Sequence, residues 1–343
     1  AAGATGEARR AATRGRLKRN RVRNKHRASM FRRWLVRTYG FPLLSSGSGV
    51  LEVAGGKGEI SFQLARVNRL RSTNVDPRPP SLAKFEKALA AGFYSSNAAF
   101  AEEDRALEGP EGLRPAFIRS MFEMPRLAPG AHVGAPDALA RPRFVQSPEA
   151  WEEQARLAEQ VVWTPKGLVP KDREGGDDPE GECCPDCGSA ADGCAHEADE
   201  SDDDGADDVG GGAHVVGAFE DAARVVDNAS IVVCMHGDAA VDHALDFALA
   251  RGLPFAIVPC CVYTELSPWR PKCVRTYDDL VAYVEATARA AGRDVRRETL
   301  NIEGKNQVVY ALPVGAGARQ EQAAAAVPAL VPAAAGAQPC AEG

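Results

Sequence analysis

The chain has 343 residues, 45% of them hydrophobic, with 41 Lys and Arg against 47 Asp and Glu, and nine cysteines. At roughly 100–200 residues per domain, that length admits two domains or one large α/β domain with appendages. Clear Val/Ile/Leu segments exclude disorder throughout, no apolar run approaches the ~18–20 residues of a membrane span, and residues 1–30 lack the apolar stretch of a secretory signal.

The net charge of −6 is segregated along the chain. Between Arg9 and Arg37 there are 13 Arg and Lys, and Glu7 is the one acid in residues 1–38. Like-charge blocks are usually solvated, so residues 1–38 read as a basic arm. Its charge suits phosphate contacts, an organelle transit peptide, or a tail folded back on an acidic segment. Within it, Met30, Phe31, Trp34 and Leu35 recur at helical spacing, so His26 to Tyr39 reads as an amphipathic helix entering a domain.

Gly49 to Ala54 reads as a strand running into the turn Gly55-Gly56-Lys57-Gly58. A helix is expected from Ile60 to Leu70, and Val75-Asp76 ends a second strand that Pro77 stops. Residues 94–170 carry no clear pattern. From Asp172 to Asp208 there are 16 acids and one basic residue, Arg173, so 171–212 reads as a disordered acidic insert. Helices are expected over Phe219–Asn228, Ala239–Ala250 and Tyr277–Ala291, and strands over Ser230–Cys234 and Pro254–Val258. Arg297–Ile302 and Gln307–Leu312 flank Glu303-Gly304-Lys305 as a hairpin. The Ala/Pro-rich stretch 316–343 reads as a disordered tail. One α/β domain over 39–315, interrupted by the insert, accounts for the whole.

The chemistry concentrates at Val50-Leu-Glu-Val-Ala-Gly-Gly-Lys-Gly-Glu-Ile60. A strand–glycine–helix turn lets backbone N–H groups approach a ligand, since Gly56 and Gly58 lack Cβ atoms. Asp76, at the end of the second strand, is placed to accept hydrogen bonds from two ribose hydroxyls. This fits either a dinucleotide or S-adenosylmethionine. Glu52 favours the second, because a carboxylate suits an ammonium group and has no reason to sit beside a pyrophosphate. Any tight strand–helix turn uses glycine, so the turn matters only together with Glu52, Asp76 and the terminal hairpin.

The spacing Glu52-x-Ala54-x-Gly56-x-Gly58 resembles the first motif of class I S-adenosylmethionine-dependent methyltransferases, with Ala54 where a glycine is usual. KHRASMFRRWLV, NVDPRP, MHGDAAVDHALDFAL, LPFAIVPCCVY and NIEGKNQVVYAL look like blocks of an uncharacterised eukaryotic family of such enzymes. More distantly they are similar to tRNA ribose methyltransferases, from which this chain departs by lacking a histidine pair after Cys261. The resemblance implies a Rossmann-like doubly wound seven-stranded α/β sheet with an antiparallel last strand. It implies that Glu52, Ala54, Gly55, Gly56, Gly58 and Asp76 hold S-adenosyl-L-methionine.

His236 and Asp238 follow the fourth core strand, so they are expected at the carboxyl edge beside the methyl donor, where either orients or deprotonates an acceptor. Asp238 also suits a helix cap before Ala239. Cys260 and Cys261, after Pro259, suit nucleophilic attack, metal binding or simple packing. Cys184, Cys187, Cys194 and His196 form a thiol–imidazole set of atypical spacing for zinc, in acidic low-complexity sequence, so no metal is assigned. Nine cysteines suit a reducing compartment: cytoplasm or nucleus, with an organelle as the alternative. The expectation is a methyltransferase with RNA as leading acceptor. A protein or small-molecule acceptor, or a degenerate fold serving as an RNA-binding or assembly module, are the alternatives. No membrane partner is expected, and nothing sets the oligomeric state.

Overall fold

The computed structural model describes residues 26–95, 97–125, 141–164, 167–170, 213–262 and 267–313. The basic residues before 26, the acidic insert with its Cys/His set, and the tail lie outside them. Among the described residues no helix is long and apolar enough to cross a membrane.

The first helix, α1 (Arg27–Leu44), breaks at Gly40, whose φ of 72° only glycine adopts readily, with Pro42 two residues on. Strand β1 (Gly49–Val53), helix α2 (Glu59–Arg66) and strand β2 (Ser72–Val75) follow as expected. α2 ends four residues earlier than the pattern predicts, and Arg69 takes φ 57° beyond it. The helix α3 (Ala83–Ala90), for which no element was expected, precedes the patternless stretch, which contains the three-residue β3 (Ala116–Ile118), α4 (Pro148–Gln160), β4 (Val161–Thr164) and β5 (Gly167–Pro170). The two-residue β6 (His214–Val215) precedes α5 (Phe219–Asp227), β7 (Ala229–Met235), α6 (Ala240–Ala250) and β8 (Phe255–Val258). Helix α7 (Tyr277–Ala290), β9 (Val295–Thr299) and β10 (Gln307–Ala311) complete the chain order.

Eight strands form one sheet in the order β6-β3-β2-β1-β7-β8-β10-β9, and β4 pairs with β5 apart from it. The expected strand number of seven is therefore corrected to eight: β6 adds a short edge beside β3. All pairings from β6 to β8 are parallel; β10 runs antiparallel to both β8 and β9. The result is an α/β, mostly parallel sheet compatible with a Rossmann-like fold.

Alternate residues of the buried strands serve opposite faces, as the period of two requires. On β7, Val232 and Cys234 pack with Val226, Leu245, Phe247 and Val284 of α5, α6 and α7. Ile231, Val233 and Met235 pack on the other side with Phe31, Trp34, Leu35 and Leu64 of α1 and α2. Burial on both faces explains why these strands read as continuous apolar runs. Tyr39 stitches α1 to the sheet, its hydroxyl donating to the Phe255 carbonyl at 2.6 Å. α7 begins with a reciprocal capping box between Thr276 and Asp279.

α1 also corrects the basic-arm reading. Arg32 is fully buried, and Arg32 and Arg33 both pair with Asp104, while Arg37 pairs with Glu103. Residues 27–38 are thus part of the folded domain rather than solvated arm.

Candidate functional site

Because β1, β2, β7 and β8 are parallel, their carboxyl ends share one edge of the sheet. After β1 the chain moves outward to β2 and β3; after β7 it moves the other way to β8. The β1–β7 junction is therefore the switch point, where ligands of open α/β sheets bind. Ala54 follows β1 there, and His236-Gly237-Asp238 follow β7.

Backbone strain collects at this junction. Ala54, His236 and Asp238 have φ of 54°, 56° and 48°, a left-handed conformation costing about 1–2 kcal/mol for each residue with a Cβ. Such strain clusters at functional sites. It also explains why glycine suits the Ala54 position. Gly237 is needed for contact instead: a Cβ there would meet Cys234 Sγ at 2.2 Å and Ala54 Cβ at 3.4 Å.

The glycine turn is held by β2. The Gly55 N–H donates to Asn74 Oδ1 at 3.1 Å, the Gly56 N–H to Asp76 Oδ2 at 2.8 Å, and Asn74 Nδ2 donates back to the Gly56 carbonyl at 3.0 Å. Gly58, at φ 81°, lets Phe117 close in; a Cβ would lie 2.5 Å from its ring. Asp76 accepts from Gly56 and also from Arg78, whose backbone N–H and Nε donate to Oδ1 at 2.9 Å and whose Nη2 donates to Oδ2 at 3.0 Å. The structure thus brings together Gly55, Gly56, Gly58 and Asp76, which were expected to hold a donor, and it engages their polar groups with one another. Burial works against the Arg78 charge, but the bond to Asp76, that carboxylate's field and the Asp238 carboxylate hold its pKa up. Arg78 accordingly lies within electrostatic reach of both acids.

Glu52 is buried, with Oε2 accepting from the Ser61 N–H at 2.9 Å and the Ser61 hydroxyl at 2.5 Å. Its expected partner was an ammonium; its partner here is the first turn of α2. Burial lifts its pKa from 4.5 to about 7, against the lowering effect of the Ser61 bonds. Between about 4.5 and 7 the folded state holds a proton that the unfolded state has released. Stability therefore falls as pH rises through that window, by on the order of 3 kcal/mol, and levels off above it. Glu52→Gln cannot ionise, so its stability relative to wild type is expected to climb across the window. Urea unfolding at a series of pH values measures this, and parallel profiles for the two proteins would refute it.

Next to β7, His236 has its Nδ1 shut away from solvent, with no hydrogen-bond partner among the described residues. Burial, then the Arg27 charge, pushes its pKa down to about 3. The ring is neutral at physiological pH and a weak proton acceptor. Asp238 stands outside α6, whose N-cap is Ala239 with no side-chain cap, so the capping expectation is corrected. Its Oδ1 instead accepts from Cys260 Sγ at 3.0 Å. Cys260 and Cys261 are buried. The hydrogen bond with Cys261, then burial and Asp238, push the Cys260 pKa well above its usual value, which favours the thiol over a nucleophilic thiolate. Cys234, on β7, is buried as well.

Asp242 and Arg270, which sequence reasoning passed over, secure the segment after β8. Arg270 Nε donates to Asp242 Oδ2 at 2.8 Å, and Nη1 donates to the Val262 carbonyl next to Cys261. His243 Nδ1 accepts the Met124 N–H at 3.1 Å, and its ring lies 5.4 Å from that of Trp269. Asn74 carried a faint signal as a polar residue inside a four-residue strand; Arg78 and Arg270 carried none.

A cavity of about 440 Å³ opens at the opposite, amino-terminal edge of the sheet, lined by Ser48, Arg71, Thr73, Arg114 and Arg224 among others. It shares no residue with the switch-point constellation, where strain and convergent polar groups define the candidate site more strongly than volume does. Comparison with protein-family models, curated proteins and solved structures finds no match to this chain.

Proposed function

We propose that the chain is an S-adenosylmethionine-dependent methyltransferase. The observation that carries this reading is the meeting, at one switch point, of the glycine turn, the β2-end carboxylate of Asp76 and the His236/Asp238/Cys260/Cys261 group. The architecture supports it. Without the two-residue β6, the main sheet has seven strands, and the last of them in chain order, β10, is the antiparallel one.

The residues fit the donor on one condition. A carboxylate offers about four lone-pair sites, and Gly56 with Arg78 already makes four hydrogen bonds to Asp76. Ribose hydroxyls would therefore replace the Arg78 side-chain bonds, and the freed guanidinium lies near Asp238. When bound, S-adenosylmethionine supplies an electrophilic methyl group. The protein's part is chiefly positioning: Gly56 and Asp76 locate the nucleoside, and Ala54, Gly237 and Pro259 shape the path of approach. Asp238 takes the acceptor proton, and neutral His236 orients the acceptor.

RNA is the acceptor this reading favours, through the basic segment before α1. Isothermal titration with S-adenosylhomocysteine tests the donor site. Binding to wild type and at least a tenfold loss in Asp76→Ala, about 1.4 kcal/mol, are expected; absence of binding, or equal binding, overturns the assignment.

One observation favours a second reading. The polar groups that should meet the donor are occupied by the protein itself, as in a degenerate fold kept for RNA binding or assembly. RNA crosslinking without methyl transfer from labelled donor would select that reading.

A further inference from the structure

We infer that Asp238, Cys260 and Cys261 form a binding site for a thiophilic divalent cation, Zn²⁺ being the best match to the donor set. The site shares Asp238, Cys260 and Cys261 with the acceptor side of the proposed methyltransferase but uses no group of the Gly55–Gly58 turn, so metal binding is read separately from binding of the donor.

The three residues come from two loops, after β7 and after β8, and the fold brings them together. One carboxylate oxygen and two Sγ atoms lie within 4.8 Å of one another, and Cys260 Sγ is 3.0 Å from Asp238 Oδ1. Tetrahedral Zn²⁺ with bonds of about 2.3 Å to sulfur and 2.0–2.2 Å to oxygen needs donor atoms roughly 3.5–3.8 Å apart. A metal would draw the wider pairs in by at most about 1 Å and spread the 3.0 Å Cys260–Asp238 pair by about half an ångström, shifts of side-chain size. Thiolate sulfur with one carboxylate is a zinc-type ligand mixture and is foreign to Mg²⁺ or Ca²⁺.

Two further features point to a ligand. Asp238 is held at φ 48° at the mouth of the loop, a strained conformation that serves no helix cap. Two residues earlier on the same loop, the shielded Nδ1 of His236 has no partner among the described residues. The charges also close. Two thiolates, one carboxylate and a divalent cation leave one negative charge, facing the Arg78 guanidinium that already feels Asp238. On binding, the Cys260 S–H···O bond is exchanged for two metal–sulfur bonds, and the two thiol protons go to solvent. Three protein ligands with the fourth position left to water is the pattern of a reactive rather than a purely structural site.

Titration of the full chain with Co²⁺, watching the sulfur-to-metal charge-transfer absorption, tests this. Cys183, Cys184, Cys187 and Cys194 are first replaced by serine, so that the other thiol cluster contributes nothing. One Co²⁺ per chain, displaceable by Zn²⁺, is expected. Cys260→Ser with Cys261→Ser should abolish the band, and Asp238→Asn should weaken binding at least tenfold while keeping it. Alkylation located by mass spectrometry provides a second measurement on unmutated Cys260 and Cys261, which Zn²⁺ should protect. A band that survives the double cysteine variant, no band at all, or alkylation indifferent to Zn²⁺ overturns the site.

Discussion

Asp104→Ala is expected to cost about 3–5 kcal/mol of stability, the range for leaving buried charge uncompensated. Asp104 sits between two guanidiniums: Oδ1 accepts from Arg32 Nη2 at 2.6 Å and Arg33 Nε at 2.7 Å, and Oδ2 accepts from Arg33 Nη2 at 2.7 Å. The Arg32 side chain is 0% exposed and that of Asp104 5%, so water cannot take over the lost interaction. Arg32 keeps Gln63, Asn68 and the Glu103 carbonyl as acceptors, but all three are neutral. Burial already lowers the Arg32 pKa against the opposing pull of Asp104. Urea unfolding should show a lower midpoint with an unchanged slope. A loss below about 1 kcal/mol, the scale of an exposed pair, would mean that the neutral acceptors suffice.

Asp242→Ala should be of similar size, about 3–5 kcal/mol, with a consequence for the site as well. The Arg270 and Asp242 side chains are 2% and 1% exposed and meet at 2.5 Å. Arg270 then reaches the Val262 carbonyl and ties the loop that follows Cys261 onto α6. Alanine at 242 strands the guanidinium and loosens that loop. Replacing both partners together, Asp242→Leu with Arg270→Met, removes the charge as well as its partner, so the double variant should lose only about 1 kcal/mol. Thermal or urea unfolding of the two singles and the double completes the cycle. A double variant as unstable as Asp242→Ala would show that packing, not charge, is at stake.

Much of the fold was legible because it is written in short range. The helices from Arg27, Phe219, Ala240 and Tyr277 announced themselves by period, and β1, β7 and β8 by apolar runs bounded by turn residues. β3 was not legible: three residues make no pattern, and what makes Ala116–Ile118 a strand is pairing to β2 and β6. The basic block misled for a related reason. Arg32, Arg33 and Arg37 look like solvated charge until Glu103 and Asp104, some 70 residues away, supply their partners.

The candidate site divides in the same way. The glycine turn, Asp76 and the Cys260-Cys261 pair could be named from the sequence, since spacing and residue chemistry are local properties. That Asp76 is saturated by Gly56 and Arg78, that Glu52 turns to Ser61, and that Asp238 meets Cys260 were decided by the tertiary structure. The Gly56–Asp76 and Asp238–Cys260 contacts depend on strand ends brought to one edge by the sheet order. By itself the sequence determined the longer helices and the apolar strands, and which residue types stand at their ends. Only the fold decided which of those groups face one another, because hydrogen bonds and ion pairs act over a few ångströms, and distance along the chain does not measure distance in space.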